Sequence, residues 1–297
     1  MPSQYSEGET ALYLRKEDRP KLILFLLPAI ILFVALFLYP LIYVIVMSFY
    51  KWDAFSSPVF NGIQNFVALF KDKIFRTAVK NNLLWAVLDM FIKVPIALIM
   101  ALILSRKFRG WKFFRTVYFL PQVISGVAMA SLWSAVFNFD FGMLNGLLGL
   151  FGAEKVNWLG NVDTAIFCVV GYGLFYVGYF MVIMLAEVTG IDRTYYEAAA
   201  LDGANEIQVD WYVTIPMIRS SLTTCITLGA VFGLRAFEQV YLLTAGGPAN
   251  RTMTMVMYLY NKMNSNIYGV GNAAAVILVI LGIAVMVAVR KIMAERD

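Results

Sequence analysis

Long apolar runs alternate with short polar stretches along the whole chain. About 20 consecutive apolar residues cross the hydrocarbon core of a bilayer as a helix, so each run predicts a membrane span. Six are expected: Leu22 to Tyr50, Leu83 to Leu104, Val117 to Val136, Ala165 to Leu185, Leu222 to Leu242 and Val270 to Val289. Pro28 and Pro40 interrupt the first, and Arg235 and Glu238 fall near the end of the fifth. The connections are too short for a soluble domain. One of them, Met143 to Phe151, is itself apolar and predicts an interfacial helix. The polar segment 1–21 reads as a tail, because the run after it is too long for a cleaved signal peptide. The domain reading is therefore a tail over 1–21 and one all-α, six-span domain over 22–297.

Six spans place both termini on one side, and the basic residues choose it. Fourteen Lys and Arg lie in the tail, after the second and fourth spans and at the C-terminal end; eight lie opposite. The excess puts both termini in the cytoplasm. Composition agrees. The 297 residues are 61% hydrophobic and 14% charged, against roughly 45–50% and about 25% in soluble domains. A net charge of +5 would raise nucleic acid as a partner of a soluble protein. Here the basic residues flank spans, and no nucleic acid is expected. Cys168 and Cys225 sit inside apolar runs, so no disulfide framework follows. The chain has no His, which removes the usual general base and the commonest metal ligand. No catalytic or metal residues are assigned. There is no G-x-x-x-x-G-K-[ST] loop, so this chain is not an ATPase.

The most informative polar segment is Glu197 to Pro216, EAAALDGANEIQVDWYVTIP, between the fourth and fifth spans. Tyr195 to Leu201 is a short helix of good formers rich in Ala. Asp202 and Gly203 end it, the glycine suiting a left-handed cap. A second short helix follows from Asn205 to about Val213, and Pro216 marks the turn into the fifth span. The product is an elbow over about 190–218 whose first limb has little bulk, suited to a groove on another protein.

This segment resembles the EAA loop of binding-protein-dependent ABC importer permeases: Glu-Ala-Ala, a Gly six residues after the Glu, and a Pro near the end. Glu197, Ala198, Ala199, Gly203 and Pro216 match, while Ile215 replaces the family's frequent Leu. Likeness to sugar permeases continues through Leu27 to Pro40, Ser48 to Asp53 and Phe60 to Asn82. It extends to Phe119-Leu120-Pro121, Leu243 to Pro248 with Thr252, Tyr268-Gly269 and Ala273 to Ala275. The branch is carbohydrate uptake, similar to the F-type permeases of maltose and multiple-sugar systems.

The resemblance implies a type I ABC importer, maltose-permease-like transmembrane domain. It implies a second permease as partner, two ATP-binding subunits that hold ATP and Mg, and an extracytoplasmic solute-binding protein that delivers a sugar or oligosaccharide. No cofactor belongs to this chain. The ATPase-coupling residues are carried onto Glu197, Ala198, Ala199, Ala200, Leu201, Asp202, Gly203 and Ala204.

Charges within spans are functional suspects. Asp89 and Lys93, four apart, share a helix face, and a structural ion pair facing the partner permease is the simpler reading. Arg235 and Glu238 serve either an outer gate or an interface. Tyr172, Phe175, Tyr176 and Tyr179 lie at i, i+3, i+4, i+7, one helix face. Such a face can stack on a sugar ring or pack in a core. Gly229 and Gly233 permit close helix approach or leave room for substrate. An ion-gradient-driven secondary transporter is the alternative function. It accounts for the spans and not for the spaced loop.

Overall fold

The computed structural model describes residues 19–294. Most of the expected tail, with Arg15 and Lys16, and also Arg296, lie outside the described residues. The chain divides after Val46 into two compact units. The first is the helix α1 (Leu24–Met47), apolar on every side.

The second unit begins with a two-stranded antiparallel hairpin, β1 (Tyr50–Lys51) and β2 (Val59–Phe60). The short helix α2 (Gln64–Lys71) follows, then the long helix α3 (Lys73–Ser105). Next come α4 (Trp111–Val123), α5 (Gly126–Val136) and the expected interfacial helix α6 (Met143–Leu150). The helix α7 (Ala165–Gly190) leads into α8 (Arg193–Leu201), α9 (Glu206–Met217) and α10 (Arg219–Leu234). The chain closes with α11 (Glu238–Leu243), α12 (Met255–Asn264) and α13 (Tyr268–Ala294).

Among the described residues four helices are long and apolar enough to span, namely α1, α3, α7 and α13, and two bent pairs raise the number to six if each is one span. Two expectations about the spans are corrected. The third span is not one helix: α4 and α5 meet at 102°. Pro121 lies inside α4, and Ile124 and Ser125 leave the helix with ψ of 137° and 136°. The fifth span ends at Leu234 rather than Leu242, and the chain passes through Arg235–Phe237 before α11.

Three π turns show how the helices tolerate proline. Val34–Leu38, Asp89–Lys93 and Asp210–Thr214 each end two residues before a proline, Pro40, Pro95 and Pro216. In each, the residue between donates its N–H five residues back, Tyr39 to Val34, Val94 to Asp89 and Ile215 to Asp210. A proline in a helix lacks an N–H, and its ring meets the carbonyl four residues earlier. One extra residue in the turn moves that carbonyl aside and keeps the helix running. Pro216 is absorbed in this way. The 76° bend into α10 comes afterwards, at Ile218.

The core of the second unit lies where α10 crosses α3. A Cβ on Gly233 would stand 2.6 Å from Ala86 Cα, so the two backbones touch there. Gly229 lies beside Val94 Cγ2 and the Asp89 carbonyl. Around them Trp85, Phe75, Val240, Met255 and Tyr258 are buried. The start of α3 is fixed by Asp72, which accepts the N–H of Ile74 at 2.8 Å and the hydroxyl of Tyr258 at 2.7 Å. Burial pushes the Asp72 carboxyl up, but those donors and Lys262 outweigh it and hold it below the usual carboxylate range. In the loop after α11 the Thr244 and Thr252 hydroxyls meet at 2.7 Å, and Thr252 donates to the Gly247 carbonyl at 2.7 Å. Cys168 and Cys225 are free and buried.

Candidate functional site

Two features of the second unit carry chemistry: a cavity between the spans and an exposed elbow. The cavity has a volume of about 960 Å³. Its walls come from α3, from the break between α4 and α5, from the middle of α7 and from the break after α10. The two breaks matter because they turn polar groups inward that a straight helix would satisfy itself. Gln122 donates from Nε2 to the Tyr176 carbonyl at 2.9 Å. A 3₁₀ turn over Phe175–Val177 leaves Tyr176 at φ −85°, ψ 22°, and so opens that carbonyl. The hydroxyls of Tyr172 and Tyr176 meet at 2.9 Å, and Tyr172 Oη reaches the Gly126 carbonyl at 3.4 Å. The Glu238 carboxylate sits over Gly126, where a Cβ would lie 2.6 Å from Glu238 Cδ.

Six of the eight residues carried from sequence as pathway candidates line this cavity: Tyr172, Tyr176, Tyr179, Gly233, Arg235 and Glu238. Two do not. Phe175 points into a separate apolar cavity and packs on Trp133 at 4.5 Å between ring centroids. The 3₁₀ turn redirects it, so the four aromatic residues do not share one face. Gly229 is buried in the helix crossing. The Asp89–Lys93 pair lines this cavity as well. It is closed at 2.6 Å, both residues are under 9% exposed, and it stands within the π turn before Pro95. Gln122 and Gly126 escaped the sequence reading. Their signal was the pair of helix breakers around them, Pro121 and Ser125-Gly126.

The elbow is built from caps. Asp192 opens α8 by accepting the Thr194 N–H at 2.9 Å. Hydrogen bonds from the Thr194 hydroxyl and N–H hold its carboxyl below the usual range. Gly203, at φ +79°, closes the helix. The Ala204 N–H bonds the Ala199 carbonyl at 3.0 Å and the Gly203 N–H bonds the Ala200 carbonyl at 3.1 Å. This is the Schellman arrangement. Asn205 and Gln208 then form a capping box that opens α9. Arg106, just beyond α3, pairs with Glu206 and reaches Asp210 Oδ2 at 2.7 Å. Behind α8 a cavity of about 720 Å³ is lined by Arg106, Tyr196, Glu197, Ala200 and Ala204. Outward, Leu201 is 90% exposed and Tyr212 79%, with Ile207 and Trp211 also bare. Ala198, Asp202 and Gly203 are exposed, while Ala199 and Ala204 are half-buried.

Among the described residues no group of His, Cys, Asp and Glu is arranged to hold a metal ion.

Residues 93–296 match the family described as binding-protein-dependent transport system inner membrane component. The chain is 33% identical to the probable ABC transporter permease protein YurN of Bacillus subtilis, over 88% of this chain and 91% of that protein. It is 35% identical to the lactose transport system permease protein LacF of Rhizobium radiobacter, over 80% and 81%. Its fold matches a chain of a bacterial alginate ABC transporter crystallised in complex with an alginate pentasaccharide-bound periplasmic protein. There the TM-score is 0.81 at 24% identity, over 93% of this chain and 95% of that one. With α8 and α9 placed as an exposed elbow on a six-span helical frame, this chain belongs to the binding-protein-dependent transport system inner membrane components and is a permease subunit of an ABC transporter.

Proposed function

We propose that this permease subunit forms part of the translocation path of an ATP-driven sugar importer. A second permease completes the path. Two ATPase subunits, which hold ATP and Mg, dock on the elbow, and an extracytoplasmic binding protein delivers the sugar. Residues 22–297 form the transmembrane domain, and both termini lie in the cytoplasm.

The observation that carries this reading is the cavity. Its volume falls within the roughly 300–1,000 Å³ of small-molecule sites. It joins aromatic faces, Tyr172, Tyr176 and Tyr179, to polar groups, Gln122, Arg235 and Glu238. Sugars present apolar ring faces and polar edges, and this lining offers both. A relative named for lactose and a fold neighbour crystallised with an alginate-loaded protein support a carbohydrate cargo. For the coupling role of Glu197 to Ala204, support comes from the rigidly capped helix and the bare apolar side chains beside it.

The test is co-purification from the native gene cluster with this chain tagged. We expect a second permease and an ATP-binding subunit to accompany the parent chain. A Glu197→Ala, Gly203→Pro double variant should lose the ATPase and keep the permease. If the tagged chain purifies alone, or keeps its ATPase regardless of the elbow, a gradient-driven carrier takes first place.

A further inference from the structure

The fifth span breaks where its own sequence gives no reason to. Residues 233–239 read Gly-Leu-Arg-Ala-Phe-Glu-Gln, without proline and rich in helix formers. Yet α10 stops at Leu234, and Phe237 takes φ −137°, ψ −59°. In a continuous helix the carbonyls of Gly233 and Leu234 would accept the N–H groups of Phe237 and Glu238, four residues on. Here the side-chain amide of Asn82 on α3 donates to both carbonyls, at 3.0 and 2.9 Å. Its carbonyl oxygen accepts the N–H of Met255, the first residue of α12, at 2.7 Å. Asn82 is 0% exposed. Sheltered from water, three such bonds hold more firmly than at a surface.

We infer that Asn82 is a positioning residue for the cavity wall. Its amide stands in for two backbone N–H groups, keeps the fifth span broken, and so turns Arg235 and Glu238 toward the cavity. The effect reaches the other broken span, because Glu238 then rests over Gly126 at the start of α5. The neighbouring Asn81 is a control of the same chemistry. Its amide donates to the Arg251 and Met253 carbonyls, both at 2.8 Å, and touches the loop before α12 rather than the break. The uptake arm of the test below rests on the reading of the cavity as a sugar path; the labelling arm does not.

Gln239 lines the cavity just beyond the break. A Gln239→Cys reporter, with Cys168→Ala and Cys225→Ala, is placed in the intact transporter, and its reaction rate with a charged, water-soluble maleimide is followed. Asn82→Asp keeps the shape and the acceptor for Met255 but brings at most one donor, on a protonated carboxyl, to two carbonyls that the amide serves with two. We expect the labelling rate to fall at least tenfold and the uptake KM to rise by a similar factor, while Asn81→Asp changes the labelling rate less than twofold. Adding Ala236→Gly, which disfavours the continuous helix, should return part of the lost rate. If Asn82→Asp does not assemble, Asn82→Ser, which keeps one donor, should give an intermediate loss. Labelling within twofold of the parent overturns the inference. So does lost assembly with unchanged labelling per assembled complex, or failure of both variants to assemble, since each leaves Asn82 a merely structural role. Absence of any sugar uptake by the parent would sink the proposed cargo and leave the labelling result to decide the inference.

Discussion

A glycine can leave room for the tip of a side chain or for another backbone, and only the first kind of neighbour can move. Gly126 makes room for the Glu238 carboxylate, whose terminal atoms a new Cβ would strike. Gly233 makes room for the backbone of Trp85 and Ala86. Overpacking of this kind costs about 1–3 kcal/mol. We expect Gly126→Ala to lower the thermal midpoint of the purified complex, and Glu238→Ser on the same chain to recover most of the loss. Gly233→Ala should cost at least as much, and truncating nearby side chains should recover none of it. Equal rescue of both would show that the α3–α10 contact is slack. From sequence, the two glycines at 229 and 233 were legible as small residues four apart. Which of them would face the cavity was not, because that depends on where α10 ends. Tyr172, Tyr176 and Tyr179 were legible as one aromatic group from spacing alone. Phe175 left it because a 3₁₀ turn breaks the 3.6-residue period on which the spacing rests.

Elements were read well where their causes are local. The spans follow from run length, the interfacial helix α6 from its apolar composition, and the elbow from its caps. Gly203 is the clearest case, since its φ of +79° is one that residues with a Cβ adopt only at a cost of roughly 1–2 kcal/mol. Asn205 adds a capping box worth about 1 kcal/mol. We expect Gly203→Ala and Asn205→Ala each to speed hydrogen exchange over 193–217 by about fivefold, the factor that 1 kcal/mol gives. Exchange in α13 should not change. Unchanged exchange in the elbow would mean that α8 is held by contacts other than its caps. The break within the third span had a local signal in Pro121 and Ser125-Gly126, but the break within the fifth was not legible. A hydrophobic run looks the same whether or not a distant amide holds it open, and Asn82 lies more than 150 residues before the carbonyls it captures.

At the scale of the whole second unit, α3 reaches both features. Trp85, Asp89 and Lys93 lie along its length on the cavity wall, and Arg106, one residue beyond its end, holds the elbow. A helix of 33 residues is about 50 Å long, so this one element runs from the cavity wall to the elbow. The Arg106 contacts are therefore a route by which a push on α8 and α9 reaches the cavity wall. They are partly exposed: the Arg106 side chain is 41% exposed, Glu206 78% and Asp210 21%. Solvent screening leaves such pairs roughly 1 kcal/mol or less. Loss of the pairs by Arg106→Ala should therefore be mild, while reversal sets three carboxylates against one another and should be felt. In proteoliposomes we expect Arg106→Glu to lower the sugar moved per ATP hydrolysed by about fivefold, equivalent to about 1 kcal/mol. ATPase subunits should still co-purify, since the bare outer face of the elbow is unchanged. Changing Glu206 and Asp210 to Arg on that background should restore the ratio. If Arg106→Glu transports with full coupling, the push travels through the α9–α10 bend instead, and α3 follows rather than transmits.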